Sequence, residues 1–138
     1  MTDSITTDSP AVASAKPRGA VIRPAELEGY SPANHSGTKN IRLIGPENGA
    51  RYMEVLMGEF VPGGNALAHA HPALEQAVYV LEGTATAGID GVDHEVHAGD
   101  IMFFPAGVFH SLKVTSAKVR LLVMYAPPYG EDPSKVIR

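Results

Sequence analysis

An all-β fold of antiparallel strands, a sandwich or barrel of the jelly-roll kind, is what this sequence predicts. Three observations lead there. Short runs rich in β-branched and aromatic residues recur along most of the chain, turn residues punctuate them, and no segment carries a long helical stripe of apolar residues at i, i+3, i+4 and i+7. Strands are expected at Asn40 to Ile44, Arg51 to Phe60, Ala66 to His71, Ala77 to Leu81, Thr84 to Ile89, Val92 to His97, Ile101 to Phe104, His110 to Thr115 and Lys118 to Ala126. Their boundaries are marked by Pro62-Gly63-Gly64, Glu82-Gly83, Ala98-Gly99-Asp100 and Pro105-Ala106-Gly107. Asp90-Gly91 is the signature of a type I′ hairpin, because both central residues need positive φ. One short helical turn is expected around Pro24 to Leu27.

The 138 residues predict one domain, long enough to bury a core without staples. Residues 1–18 are Ser, Thr, Ala, Asp and Pro with almost no large apolar side chain, so they are expected to form a disordered arm, leaving 19–138 as the domain. That stretch also lacks the apolar h-region of a secretory signal, which makes a cytoplasmic location the expectation. Eleven Lys plus Arg against fifteen Asp plus Glu give a net charge of -4 without a basic cluster, which argues against nucleic acid and anionic membranes as partners. The apolar run from Val119 to Ala126 is far shorter than a membrane span. With no cysteine, thiolate chemistry is excluded and any metal must be held by His, carboxylate or amide groups. A homodimer is expected, because an antiparallel sandwich leaves edges to cover and the Ala77 to Leu81 run is apolar on both faces.

Three of the six histidines can be placed by geometry. His69 and His71 stand two apart in an expected strand, so both imidazoles leave on one face. Pro72 ends that strand, the returning chain brings Gln76 beside the pair, and His110 opens another strand just after a turn. His94 and His97 flank an acidic hairpin and His35 sits in a polar stretch, so these three read as ordinary surface or hydrogen-bonded core residues and not as ligands. Around the candidate site, Met53, Val55, Met57, Val78, Val80, Phe103, Phe109, Leu112, Leu121, Met124 and Tyr125 are candidates for an oily pocket wall. Glu54, Tyr52 and Arg42 are the contributors to acid–base chemistry nearest the motifs.

At these residues the chain resembles the cupin superfamily. The first cupin motif, GX5HXHX(3 or 4)EX6G, is matched by Gly63, His69, His71, Gln76 and Gly83, and the second, GX5PXGX2HX3N, by Gly99, Pro105, Gly107, His110 and Val114. Fifteen residues, Thr84 to Ala98, separate the two. The resemblance implies a jelly-roll barrel and a mononuclear metal held by His69, His71, Gln76 and His110. Gln76 stands in the slot of the family's glutamate: only it keeps six residues before Gly83, whereas Glu75 is one residue off and would face the other way. Val114 replaces the closing Asn of the second motif. Zinc is the expected metal, with Fe, Ni, Co or Mn also compatible with three imidazoles and an amide oxygen.

Small cupins with Gln in this slot resemble the metal-dependent polyketide cyclases of aromatic antibiotic pathways and the proteins that linearise unsaturated galacturonate. The oily pocket candidates favour the cyclase. The expected reaction is therefore redox-neutral closure of a ring in a poly-β-ketone, with an aromatic or polyketide substrate. A quercetinase-type dioxygenase, which would consume oxygen, a uronate-converting cupin and a catalytically silent ligand binder are the alternatives.

Overall fold

The computed structural model describes residues 19–138; the arm expected over 1–18 lies outside them. Eight strands follow in the order β1 (His35–Ile44), β2 (Glu54–His69), β3 (Glu75–Glu82), β4 (Thr84–Ile89), β5 (Val92–His97), β6 (Ile101–Phe104), β7 (His110–Val114) and β8 (Val119–Ala126). All pair antiparallel, in the path β5-β4-β7-β2-β8-β3-β6 with β1 added to β2, a sheet that curls into the jelly roll that the sequence predicts. No helix among the described residues is long and apolar enough to cross a membrane.

The most consequential difference from expectation is β2. The two strands expected on either side of Pro62-Gly63-Gly64 are one sixteen-residue strand. Its first half pairs with β8, from Glu54↔Tyr125 to Phe60↔Val119, and its second half pairs with β7, ending on His69↔His110. The glycines bend the strand from one layer of the sandwich into the other instead of ending it, because β1 stays paired along both halves with a register shift between Ser36 and Thr38. Glycine is required at the bend: a Cβ on Gly64 would stand 3.0 Å from the carbonyl oxygens of Ser36, Gly37 and Val61. β1 is five residues longer at its start than the apolar pattern suggests, since His35 to Lys39 join the ladder through backbone pairing and not through an apolar face. The Asp90-Gly91 hairpin is as expected, with φ of 51° and 79°. A 3-10 turn covers Pro24–Glu26, and two more, at Pro46–Asn48 and Pro133–Lys135, carry no signal in the sequence because each is a single turn without periodicity.

The core follows the two-residue period of the strands. In β8, Val119, Leu121, Val123 and Tyr125 are buried and alternate with half-buried Arg120, Leu122 and Met124. Leu56, Phe60, Val78, Val80, Met102, Phe104 and Leu112 meet them between the layers, each large aliphatic or aromatic side chain contributing about 1.5–3 kcal/mol by leaving water. β3 lies between β8 and β6, so the run expected to need a partner at an edge is interior; the path ends at β5 and β6. The outer residues of β3 and β6, Tyr79 opposite Ile101 and Ala77 opposite Phe103, form an apolar strip on the outside.

After β8 the chain returns across the end of the barrel. Its anchor is Glu54, 2 % exposed, whose Oε1 accepts from the amides of Tyr129 (3.0 Å) and Gly130 (2.8 Å) while Oε2 accepts from Arg42 Nε (3.0 Å). At the far end Ile137 pairs with Ala70 through two backbone hydrogen bonds of 2.8 Å. This segment thereby crosses beside the histidines.

Candidate metal centre

His69 ends β2 and stands opposite His110, the first residue of β7. His71 follows one residue beyond the Ala70 bridge, so the alternation that puts His69 and His71 on one face persists past the strand's end. All three are buried, and one ligand atom from each lies within 4.8 Å of the other two. The ring centroids are 4.4 Å apart for His69 and His110, 5.1 Å for His69 and His71, and 5.7 Å for His71 and His110. This is a cluster that can bind a metal ion.

Each imidazole is turned by its other nitrogen. Nδ1 of His69 bonds the Leu67 carbonyl oxygen at 2.8 Å, that of His71 the Lys135 carbonyl at 2.9 Å, and that of His110 the Val108 carbonyl at 3.1 Å. A carbonyl can only accept, so each Nδ1 carries the proton and each Nε2 keeps a lone pair for the interior. The His110 ring is further fixed by stacking on Phe104, with centroids 4.0 Å apart and planes 7° off parallel. Tyr129 packs edge-on against His71 at 4.4 Å.

The donor atoms left over match a cation. Nε2 of His71, Nε2 of His110 and Oε1 of Gln76 are buried without any hydrogen-bond partner, and a buried acceptor left unpaired costs about 1–3 kcal/mol. Gln76 is 7 % exposed and faces inward, whereas Glu75 faces solvent, the alternation that the motif spacing implied. His69, Gln76 and His110 line one cavity of about 60 Å³ together with Phe60, Val78, Phe104 and Tyr125. A larger hollow of about 820 Å³ on another part of the surface is open and lined by mixed charges such as Lys39, Glu59 and Arg120, and none of the three histidines borders it.

Of the expected wall residues, Val78, Leu112, Leu121 and Tyr125 line this cavity. Met53, Phe103 and Phe109 are exposed, and Val55, Met57, Val80 and Met124 lie off it. The reason is again the period of two: Met102 and Phe104 point inward, which turns Phe103 out. Tyr52 is 79 % exposed and Glu54 is committed to Arg42 and the C-terminal segment, so neither reaches the cavity. His94 and His97 are exposed on β5, as expected. His35 is the site residue that sequence reasoning missed. It lines the same cavity, its ring centroid lies 6.2 Å from that of His69, and its Nδ1 is buried without a partner. Only the pairing of His35 with Ala66 brings it there, and nothing in its polar neighbourhood signals that.

Burial sets the protonation of the cluster. It pushes His71 down to about 4 and His110 to about 3, with neighbouring imidazoles lowering both further and their backbone carbonyls opposing the shift, and it pushes His35 to about 4. His69 is lowered by the same cause. The unfolded chain protonates His35, His71 and His110 near 6.5 while the fold refuses the proton until about 4 or below, so between those values the unfolded state binds more protons. Their contribution to stability is therefore complete above about pH 6.5 and declines as the pH falls toward 4. Urea unfolding of metal-free protein should show a midpoint that drops steadily from pH 7 to pH 4. A flat midpoint over that range would contradict the buried, neutral state of the cluster.

An antiparallel jelly-roll barrel with three buried imidazoles converging defines a class of small β-barrel proteins with a cluster that could hold a metal ion. The cupin domain family matches residues 56–125, and the chain belongs to it. The dimethylsulfoniopropionate lyase DddW of Ruegeria pomeroyi is 32 % identical over 120 residues, covering 80 % of this chain and 78 % of that one. Among solved structures, KdgF from Halomonas sp. shares the fold with a TM-score of 0.74 at 15 % identity, over 83 % of this chain and 98 % of that one. The polyketide cyclase RemF from Streptomyces resistomycificus does so with a TM-score of 0.72 at 23 % identity, over 80 % and 81 %. The chain spans 61 % of an uncharacterized protein of Methanocaldococcus jannaschii, matched at 26 % identity, and 38 % of germin-like protein 5-1 of Oryza sativa subsp. japonica, matched at 33 %.

Proposed function

We propose that this cupin is a metal-dependent enzyme of redox-neutral carbonyl chemistry, with His69, His71, Gln76 and His110 holding one divalent ion, zinc before Fe, Ni, Co or Mn. The observation that carries this reading is the set of buried, unpartnered acceptors, Nε2 of His71 and of His110 and Oε1 of Gln76, beside a third imidazole. A divalent ion bound there supplies Lewis acidity toward a carbonyl oxygen, which favours loss of a proton from the neighbouring carbon. The chain's own residues do the rest. Phe60, Val78, Phe104 and Tyr125 give the cavity apolar walls, and the backbone-anchored rings hold the donor nitrogens in place before substrate arrives. His35 Nδ1, unpaired at the cavity wall and kept neutral by burial, is the proton acceptor.

Ring closure in a poly-β-ketone is the finer reading, supported by the mostly apolar lining and the uncharged donor set. A second reading, elimination from a small carbonyl compound, is favoured by the cavity itself. Its volume of about 60 Å³ is well below the roughly 300–1,000 Å³ of sites for drug-sized ligands. The relation to a lyase at 32 % identity points the same way. Anaerobic incubation of zinc-loaded protein with a poly-β-ketone thioester and, separately, with dimethylsulfoniopropionate distinguishes the two by product, and an absolute need for oxygen would overturn both. The chemistry common to both is tested by deuterium exchange at the α-carbon of methyl acetoacetate, which the loaded protein should accelerate and the metal-free protein should not.

Gln76 tunes this site. Its amide brings no charge to the donor set, whereas a carboxylate at that position would cancel part of a dication's charge and weaken its pull on a carbonyl oxygen. Gln76→Glu is thus expected to bind zinc as tightly or more tightly and to exchange the α-proton about tenfold more slowly, as a loss of about 1.4 kcal/mol in transition-state stabilisation requires. Unchanged exchange at saturating zinc would refute the electrostatic role of the amide.

A further inference from the structure

Ile137 and Arg138 run beside the histidine cluster. Ile137 is paired with Ala70, which lies between His69 and His71, so Arg138 leaves the bridge at the edge of the site. From the other side Asn34, which immediately precedes His35, turns its carboxamide oxygen to the guanidinium and accepts from Arg138 Nε at 2.8 Å and from Nη1 at 3.2 Å. The Tyr129 hydroxyl is a second neighbour of the guanidinium, and the Tyr129 ring rests on His71. Arg138 is thus held by β1 and by the C-terminal segment beside the cluster.

Both of those neighbours are neutral, and neither uses up the charge. Among the described residues, Arg138 forms no ion pair within 4.0 Å. Glu131, a carboxylate of the same segment within electrostatic reach of Arg138, accepts from the Tyr30 hydroxyl at 3.4 Å. A guanidinium has five N–H donors in a planar fork that matches a carboxylate in two parallel hydrogen bonds, and Asn34 engages only two of the five.

We propose that the substrate is a small carboxylate-bearing carbonyl compound, its carboxylate held by Arg138 at the mouth and its carbonyl end in the cavity lined by His69, Gln76 and His110. This rests on the carbonyl chemistry proposed above and names its substrate class. The two parts fit each other: a cavity of about 60 Å³ takes the reacting end of a short molecule, and the anionic end stays at the rim, where the fixed positive charge is.

The test compares acetoacetate with methyl acetoacetate, which share a skeleton and differ in charge, by calorimetric or NMR titration of zinc-loaded and metal-free protein. Wild type should bind acetoacetate at least about tenfold more tightly than the ester, the order expected of a charge-assisted pair. Arg138→Met should erase that preference, leave ester binding unchanged and leave zinc content, measured by elemental analysis, at the wild-type level. Arg138→Lys, which keeps the charge and loses the fork, should fall between them. Equal affinities of wild type and Arg138→Met for acetoacetate, a parallel loss of ester binding, or no acetoacetate binding by wild type at millimolar concentration overturns the proposal. Wild-type protein that takes up no zinc yet binds acetoacetate through Arg138 sinks the metal reading and leaves the anion site standing.

Discussion

His110→Ala is expected to reduce zinc content from one ion per chain to near zero in protein purified without added metal, and to weaken zinc affinity by more than a hundredfold. Loss of a partner that merely orients a metal ligand already costs about 10–100-fold, and here the proposed ligand itself is removed. His110 is 6 % exposed and its Nδ1–H donates to the Val108 carbonyl, which leaves Nε2 as the donor atom that the substitution removes. The alanine variant also deletes the ring that stacks on Phe104. His110→Phe keeps that stacking without a donor nitrogen and separates the two effects: it should be as metal-poor as the alanine variant while unfolding closer to wild type. Elemental analysis and circular dichroism together check this. Full metal retention by His110→Ala and by His69→Ala would falsify the assignment of the site.

Glu54→Ala should be the most destabilising single change in the C-terminal anchor, by about 1–3 kcal/mol, the cost of leaving a buried donor without its acceptor. Removal of the carboxylate leaves the Tyr129 and Gly130 amides without an acceptor and takes from Arg42 its buried partner, while the exposed Arg42–Glu47 contact of 2.9 Å survives. The lost free energy should appear as a lower urea midpoint with little change in slope. A further effect distinguishes this anchor from an ordinary core contact. The segment that Glu54 holds also supplies the Lys135 carbonyl that orients His71, and places Ile137 beside Ala70. Zinc affinity should therefore fall in Glu54→Ala although the residue lies outside the cavity, and Glu54→Gln, which keeps an acceptor oxygen, should lose less of both. A variant as stable as wild type would show that the buried carboxylate contributes nothing net.

By itself the sequence determined the parts of this protein that depend on local rules. Alternation of period two, glycine and proline punctuation and the Asp90-Gly91 turn are readable because a strand's facing and a tight turn's backbone are decided by a few neighbouring residues. The same rule turned Gln76 inward and Glu75 outward and set His69 and His71 on one face, and the motif spacing did the rest for His110. What only the tertiary structure decided involves partners distant in the chain. β2 runs unbroken through Pro62-Gly63-Gly64 because β1, not its own composition, holds it on both sides of the bend. His35 reaches the cavity through its pairing with Ala66, Glu54 is an anchor because amides seventy-five and seventy-six residues later fold back onto it, and Arg138 comes to the rim through Ala70 and Asn34. Each of these contacts joins backbone or polar groups that show no hydrophobic periodicity. A backbone amide looks the same at every position in a sequence, and the choice of its partner belongs to the closed chain.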